Sequence, residues 1–290
     1  VRTLTGEGPV ISTVELLISS ARSWIDDRVI RLGAAVAYYS LFALIPVMFL
    51  AIALASIFFG QDAVTAEVEK AIADILGDDL ATSLIDAFEQ LQLVDTGAVV
   101  SLVTLGVLLF TATLLFVAWK DVVDIIWDAP WVGGARGTLQ RRLFGVLAVF
   151  GAGALLTLTL LAEAVIGMLD RVFGSFIADI VIKTTGSLVP LALGALFIAI
   201  LYKYTPEEHI AWRSVWLPSI VAMTMLSIGA WAYGLYVAAY IFKSAAGAAG
   251  SVFLGLVFIY YSALILLYGV EIMKKKHEQT LPTSSDAPAN

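Results

Sequence analysis

Leu32 to Gly60 read LGAAVAYYSLFALIPVMFLAIALASIFFG, 29 residues without a charge. A helix rises about 1.5 Å per residue, so about 20 such residues cross the roughly 30 Å of hydrocarbon in a bilayer. Five further apolar runs follow, at 97–119, 143–169, 181–202, 214–242 and 250–273, separated by short polar segments. Hydrophobic residues make up 60% of the 290-residue chain, charged ones 14%, and the mean hydropathy is +0.92, too apolar for a single core in water. The runs are continuous and rich in Leu, Ala, Val, Ile and Gly, whereas a barrel strand would show about ten alternating residues. The expected fold is all-α, a polytopic membrane protein. Six transmembrane helices would fill 32–273, after a segment 1–31 with an interfacial amphipathic helix and before a polar tail, 274–290.

Basic residues resist translocation and gather on the cytoplasmic side. Of the 17 Lys and Arg, 13 fall in the N-terminal segment, the second and fourth connections and the tail, among them Arg28, Arg31, Lys120, Arg141, Arg142, Lys203, Arg213 and Lys274 to Lys276. Only Lys70, Arg171, Lys183 and Lys243 lie on the other side. Both ends are therefore expected in the cytoplasm, and a bacterial inner membrane fits best. The net charge of -7 does not bear on topology, because acidic residues hardly affect it. Much of that charge sits in the external segment 61–96. There Val64, Val68, Ala71 and Ile75, then Leu80, Leu84, Phe88 and Leu91, recur at helical spacing, predicting two short amphipathic helices broken at Gly77-Asp78. A solvated cap over the bundle and a cation-attracting vestibule both fit.

Ahead of the first span, Val10, Ile11, Val14, Leu17, Ile18, Ala21, Trp24 and Ile25 share one helical face, predicting a helix flat in the interface with Trp24 at headgroup depth. Cysteine is absent, which excludes disulfides and thiolate chemistry. Residues 1–9 lack the apolar core of a signal peptide. The tail from His277, with Pro282 and Pro288, is expected to be disordered.

Ionisable and polar groups at membrane depth are costly, so each is a candidate for function. Glu163 lies inside the third span; a pairing with Lys183, a neutral carboxyl and a substrate or proton role all remain open. Glu271 stands one turn before Lys274 and Lys275, where a local salt bridge would account for it. Pro46 interrupts the first span and frees a carbonyl, while Tyr38, Tyr39 and Ser40 bring three hydroxyls to the half before it. Pro190 and Pro218 add bends, and kinked helices pack around cavities. Tyr233, Tyr236 and Tyr240 form a stripe that reads either as packing and belt or as a substrate path. Lys243 opens a small-residue segment through Ser251, suited to close backbone approach or to an anionic headgroup. At the second connection, Lys120 and Asp124 with Arg141 and Arg142 suggest a salt-bridged hinge; lipid-phosphate binding by the arginines is the alternative.

These residues resemble a known family. Ala37-Tyr38-Tyr39-Ser40-Leu41 with Pro46, Arg142 opening the third span, and Leu201-Tyr202-Lys203-Tyr204 before Pro206 and Trp212-Arg213 follow its order. So do Gly250-Ser251, Tyr261-Ser262-Ala263 and Gly269-Val270-Glu271 near the end. The chain resembles the YihY/BrkB family of bacterial inner-membrane proteins, once labelled ribonuclease BN, over nearly its full length. At 243–249 it departs, being Ala- and Gly-rich where the family is aromatic.

The resemblance implies a six-helix inner-membrane protein that exports or translocates lipid-like material or ions. The ribonuclease label fits badly: His209 and His277 are the only histidines, and no dense basic surface interleaved with aromatics offers a nucleic-acid site. Nor is there a Walker lysine motif. The expectation is a translocator without enzymatic activity, cofactor or metal, its partners membrane lipids and an anionic lipid-like cargo drawn by Arg142, Lys183 and Lys243. A cation/proton antiporter using Glu163 and a non-transporting scaffold for envelope assembly are the alternatives. Reporter fusions at residues 1 and 290 should both report a cytoplasmic location; opposite faces would refute the even number of crossings.

Overall fold

The computed structural model describes residues 13–76, 81–86, 98–130, 134–173, 176–240 and 247–279. Its regular structure is helical throughout: α1 (Thr13–Asp26), α2 (Val29–Phe59), α3 (Gln61–Leu76), α4 (Ala98–Ile126), α5 (Gly134–Phe173), α6 (Phe176–Tyr204), α7 (Trp212–Tyr240) and α8 (Gly247–Glu278), with a short helical stretch at 81–86. Five of these carry segments long and apolar enough to span, namely Val29–Phe59, Gly106–Ile126, Gly137–Ala162, Trp212–Tyr236 and Phe253–Glu278, and Leu188–Tyr204 of α6 is a shorter apolar one. The all-α, polytopic expectation holds. α5, with 40 residues, reaches about 60 Å and so projects well beyond the hydrocarbon.

The helices pass in sequence around the bundle. α2 packs on α4, α5 and α8, and α4 packs on α5, α5 on α6, α6 on α7 and α7 on α8, while α1 lies along α8 and α3 against α2 and α7. The junctions α1–α2, α4–α5 and α6–α7 and the end of α8 meet at one end, which carries the basic residues. Here the closest packing lies: Val29, Trp119, Val123, Tyr202, Val215, Leu267, Val270 and Met273 are buried together. At the opposite end the apolar faces of α3 and 81–86, through Val64, Val68, Leu84 and Ile85, close over Met48, Ile52 and Ala55 of α2. The acidic segment thus caps α2 with its oily side. Gly77-Asp78, Leu80, Phe88 and Leu91 lie outside the described residues.

α1 departs from a helix merely resting on the interface. Trp24 donates its indole N–H to the Leu264 carbonyl at 3.2 Å, and the Tyr268 hydroxyl donates to Leu17 O at 2.9 Å. Both bonds tie α1 across α8, so Trp24 also serves as a staple between the two helices. The apolar face is divided: Leu16 is buried, while Val14, Ile18 and Ile25 remain more than half exposed and free to meet lipid. Arg28 then turns the chain into α2 with φ 56°, a left-handed conformation costly for a side chain of this size.

Where α6 meets α8, Gly269 lets the fully buried Tyr202 ring lie against the α8 backbone, its hydroxyl donating to Leu266 O at 2.7 Å. A Cβ at 269 would overlap that hydroxyl and come within 2.8 Å of Cζ. Gly269→Ala should therefore destabilise by about 1–3 kcal/mol, more than Tyr202→Phe, which forfeits one bond worth about 1 kcal/mol. Thermal unfolding in detergent micelles ranks the two; the reverse order would mean the ring can move aside freely.

Candidate functional site

The end of α4 is where charges enter the bundle. Lys120, 5% exposed, reaches Asp124 Oδ1 at 3.0 Å and the Thr205 carbonyl of the α6 terminus, also at 3.0 Å. Arg141 of α5 places its guanidinium 3.0 Å from Asp121 Oδ1 and 3.7 Å from Asp124 Oδ2. Trp119 donates its indole N–H to Thr205 Oγ1 at 3.1 Å and stacks on Tyr202. The last turn of α4 closes as a Schellman motif, Ala129 N to Asp124 O at 2.9 Å and Asp128 N to Ile125 O at 3.2 Å, with Asp128 left-handed at φ 51°. Lys274 of α8 covers its free carbonyls, donating to Ile126 O at 2.7 Å and to Asp128 Oδ2 at 3.0 Å. Lysine and arginine here satisfy helix ends, so α4, α5, α6 and α8 are locked together at the basic end.

Directly beyond this lock lies a cavity of about 280 Å³ among α2, α4, α6 and α8. Ser40, Phe116, Trp119, Phe197, Tyr202 and Ser262 contribute to its wall. Each polar group there is already bonded: Ser40 Oγ donates to Val36 O and Ser262 Oγ to Phe258 O, both at 2.8 Å, and Trp119 and Tyr202 are engaged as above. None of the lining residues carries a charge. A space whose few donors are spent on the protein suits an aliphatic chain, since a buried ion needs partners to replace its water. A second space, about 600 Å³, runs between α5 and α6, and both spaces open partly to the surface of the bundle. Phe197 and Leu201 of α6 line both.

The other sequence candidates are distributed more widely. Tyr38, 57% exposed, points away from the central cavity and lines a crevice of about 370 Å³ between α2 and α8, with Tyr260 opposite. Tyr39 sits edge-on to it, partly exposed. Pro46 is buried inside α2. Arg142 does not join the ionic hinge: its guanidinium donates to Thr113 Oγ1 at 2.9 Å, lies 3.4 Å from Phe110 O, and covers the Phe110 ring at 4.1 Å. Gly145 permits that close α4–α5 approach. Tyr233 packs on Phe258, and its buried hydroxyl has no partner among the described residues. Tyr236 is half exposed. Glu271 is 1% exposed and faces Asp27 at the α1–α2 turn as well as Lys274 and Lys275. Glu163, Lys183, Tyr240 and Ser251 belong to helices but their side chains, and Lys243 altogether, lie outside what is described. Phe197 and Phe116 escaped sequence reasoning, and Leu201 entered it only as part of a motif, because an apolar residue in an apolar span carries no signal of its own. The Gly269–Tyr202 pair was visible as two motif fragments, though not as a contact.

An all-helical bundle of long apolar helices, interlocked by buried ion pairs at its basic end, defines a polytopic α-helical membrane protein. The family model described as virulence factor BrkB matches residues 20–290, and the chain belongs to that family. Among curated relatives it is similar to the UPF0761 membrane protein of Ralstonia nicotianae, 24% identical over 255 residues, covering 85% of this chain and 55% of the relative. It is likewise similar to the UPF0761 membrane proteins of Stenotrophomonas maltophilia, 23% identical over 262 residues (86% and 58%), and of Xanthomonas campestris pv. campestris, 23% over 266 residues (87% and 58%). The chain thus spans little more than half the length of these relatives. No solved structure matches it.

Because Asp124 answers both Lys120 and Arg141 within a buried site, Asp124→Ala should cost about 3 kcal/mol or more. Thermal unfolding in micelles measures this; a loss below about 1 kcal/mol would class the network with exposed ion pairs.

Proposed function

We propose that this chain is a translocator of lipid-like, anionic amphiphiles in a bacterial inner membrane, with both termini cytoplasmic, rather than an enzyme. The observation that carries the reading is the central cavity: it is uncharged, its serine, tyrosine and tryptophan donors are all bonded internally, and it lies in the spanning region beside a lock of four helices. Such a space accepts hydrocarbon and repels bare ions. The basic end supports the orientation, since Lys120, Arg141, Lys203 and Lys274 gather there. The partners are membrane lipids, with the headgroup drawn by surface cations and the tails held in the bundle. Nucleic acid has no place in this scheme.

In proteoliposomes containing fluorescent phosphatidylglycerol, the protein should bring outer-leaflet label inward faster than empty vesicles do. Ser262→Phe, which fills the cavity from α8, should slow this by about tenfold, as a barrier increase near 1.4 kcal/mol would. Movement no faster than in empty vesicles would refute the reading. Sodium-dependent proton flux abolished by Glu163→Gln would replace it with an antiporter.

A further inference from the structure

The groove between α5 and α6 is not required by the bundle, yet it is built with consistency. On α5 the face turned to it carries Ala148, Gly151 and Ala154, so the helix is thin where the groove is deep. The Phe197 ring already leans into the room that Gly151 leaves, 3.3 Å from where a Cβ would stand. The rims are apolar and open outward: Leu147 is 63% exposed, Leu158 49% and Ile200 39%. These residues lie within the spanning segments Gly137–Ala162 and Leu188–Tyr204, where the surrounding solvent is hydrocarbon. From Phe144 to Leu158 the groove runs about 21 Å, longer than the roughly 15 Å of hydrocarbon in one leaflet. One lipid tail from one leaflet fits along it.

At its basic end the chemistry changes. Tyr204, 61% exposed, ends the groove, and the Lys203 ammonium stands 5.7 Å from that ring and 5.2 Å from the ring of Trp212. Lys203 donates one N–H to Ile210 O at 2.7 Å, and among the described residues its other two donors are not engaged. An apolar trough ending in an ammonium, a phenol and exposed indoles matches a phospholipid, tail along the trough and phosphate at the mouth. Inward, Phe197 and Leu201 line both this groove and the central cavity, packed there with Phe116 and Ala148.

We propose that the α5–α6 groove is a binding site for a phospholipid of the basic-end leaflet, one acyl chain lying over Gly151 and the phosphate held by Lys203 and Tyr204, with Phe197 and Leu201 as the lateral gate to the central cavity. Passage through the gate rests on the translocation reading; occupancy of the groove does not.

The test uses the full chain in phosphatidylcholine vesicles doped with phosphatidylglycerol bearing a photoactivatable acyl chain, followed by mapping of labelled peptides. Labelling should concentrate on 144–158 and 193–204. Gly151→Leu should lower it at least about fivefold, since displacing two methylenes costs that much affinity. Leu158→Trp, a larger side chain at a half-exposed position lining the groove, should do the same if the first variant fails to fold. Labelling at Phe110 and Ile228, exposed elsewhere on the bundle, should not change. Lys203→Gln should remove the preference for phosphatidylglycerol over an equivalent phosphatidylcholine probe. Labelling spread evenly around the bundle, or indifferent to both filling variants, would overturn the site, and a preference that survives Lys203→Gln would overturn the headgroup assignment. Groove labelling in vesicles that show no lipid movement would sink translocation and spare the site; movement with no groove labelling would do the reverse.

Discussion

Within hydrocarbon there is no water to complete a hydrogen bond, and this single constraint organises the molecule. Hydroxyls on the spans turn back on their own helices: Ser40 to Val36 O, Thr157 to Gly153 O, Ser219 to Val215 O and Ser227 to Met223 O. Longer donors reach across. Trp24, Tyr202, Tyr260, Tyr261 and Tyr268 each give a proton to a carbonyl of another helix, and four of these five bonds involve α8 and either α1, α2 or α6. The fifth, Tyr261 to Met225 O, fixes α8 to α7. Tyrosine is suited to this work, because its ring is at home in the bilayer while its hydroxyl demands a partner. α8 thereby becomes the element to which the others are fastened.

The same constraint explains why the buried charges among the described residues, Lys120, Asp124, Arg141 and Glu271, gather at the basic end. Lys120 and Lys274 sit where α6 and α4 run out of internal partners for their last carbonyls, so each ammonium answers an unmet acceptor while its own charge is met by Asp124 or Asp128. Arg142 follows the rule at greater depth, covering a carbonyl and a ring of α4. Four helices fixed at one end leave the space beyond them as the natural place for a cavity. Its uncharged character follows, since the ionic groups nearby are used in making the lock.

The spans, their helical nature and the gathering of basic residues at one end were legible in the sequence because each depends on composition over many residues, where errors average out. The α3 face was legible for the same reason: Val64 and Val68 recur at helical spacing and are buried. Partner choice was not. Nothing in Arg141-Arg142 tells which arginine joins Asp121 and which turns to Phe110; helical phase about α5 separates neighbours by about 100°, and only the packing of α4 fixes that phase. Tyr38 and Ser40 looked like one hydroxyl cluster, yet two residues on a helix differ by about 200°, and they face different spaces. The α1 stripe predicts a helix flat in the interface, but the bonds that α8 offers it through Leu264 O and Tyr268 are a demand that no local pattern announces.

Why the groove and the central space should share a wall follows from the size of residues on facing helices. α5 is thin at Gly151, so α6 can lean Phe197 toward it, and a ring leaning that way withdraws volume from the bundle interior. A rotamer change at Phe197, which lines both spaces, breaks no hydrogen bond, because neither Phe197 nor Leu201 makes one through its side chain. The ionic lock at the basic end need not open for such an exchange. A barrier built only from apolar contacts is a weak obstacle for an acyl chain, which replaces those contacts with its own, and a strong one for an ion, which has nothing to offer them in return.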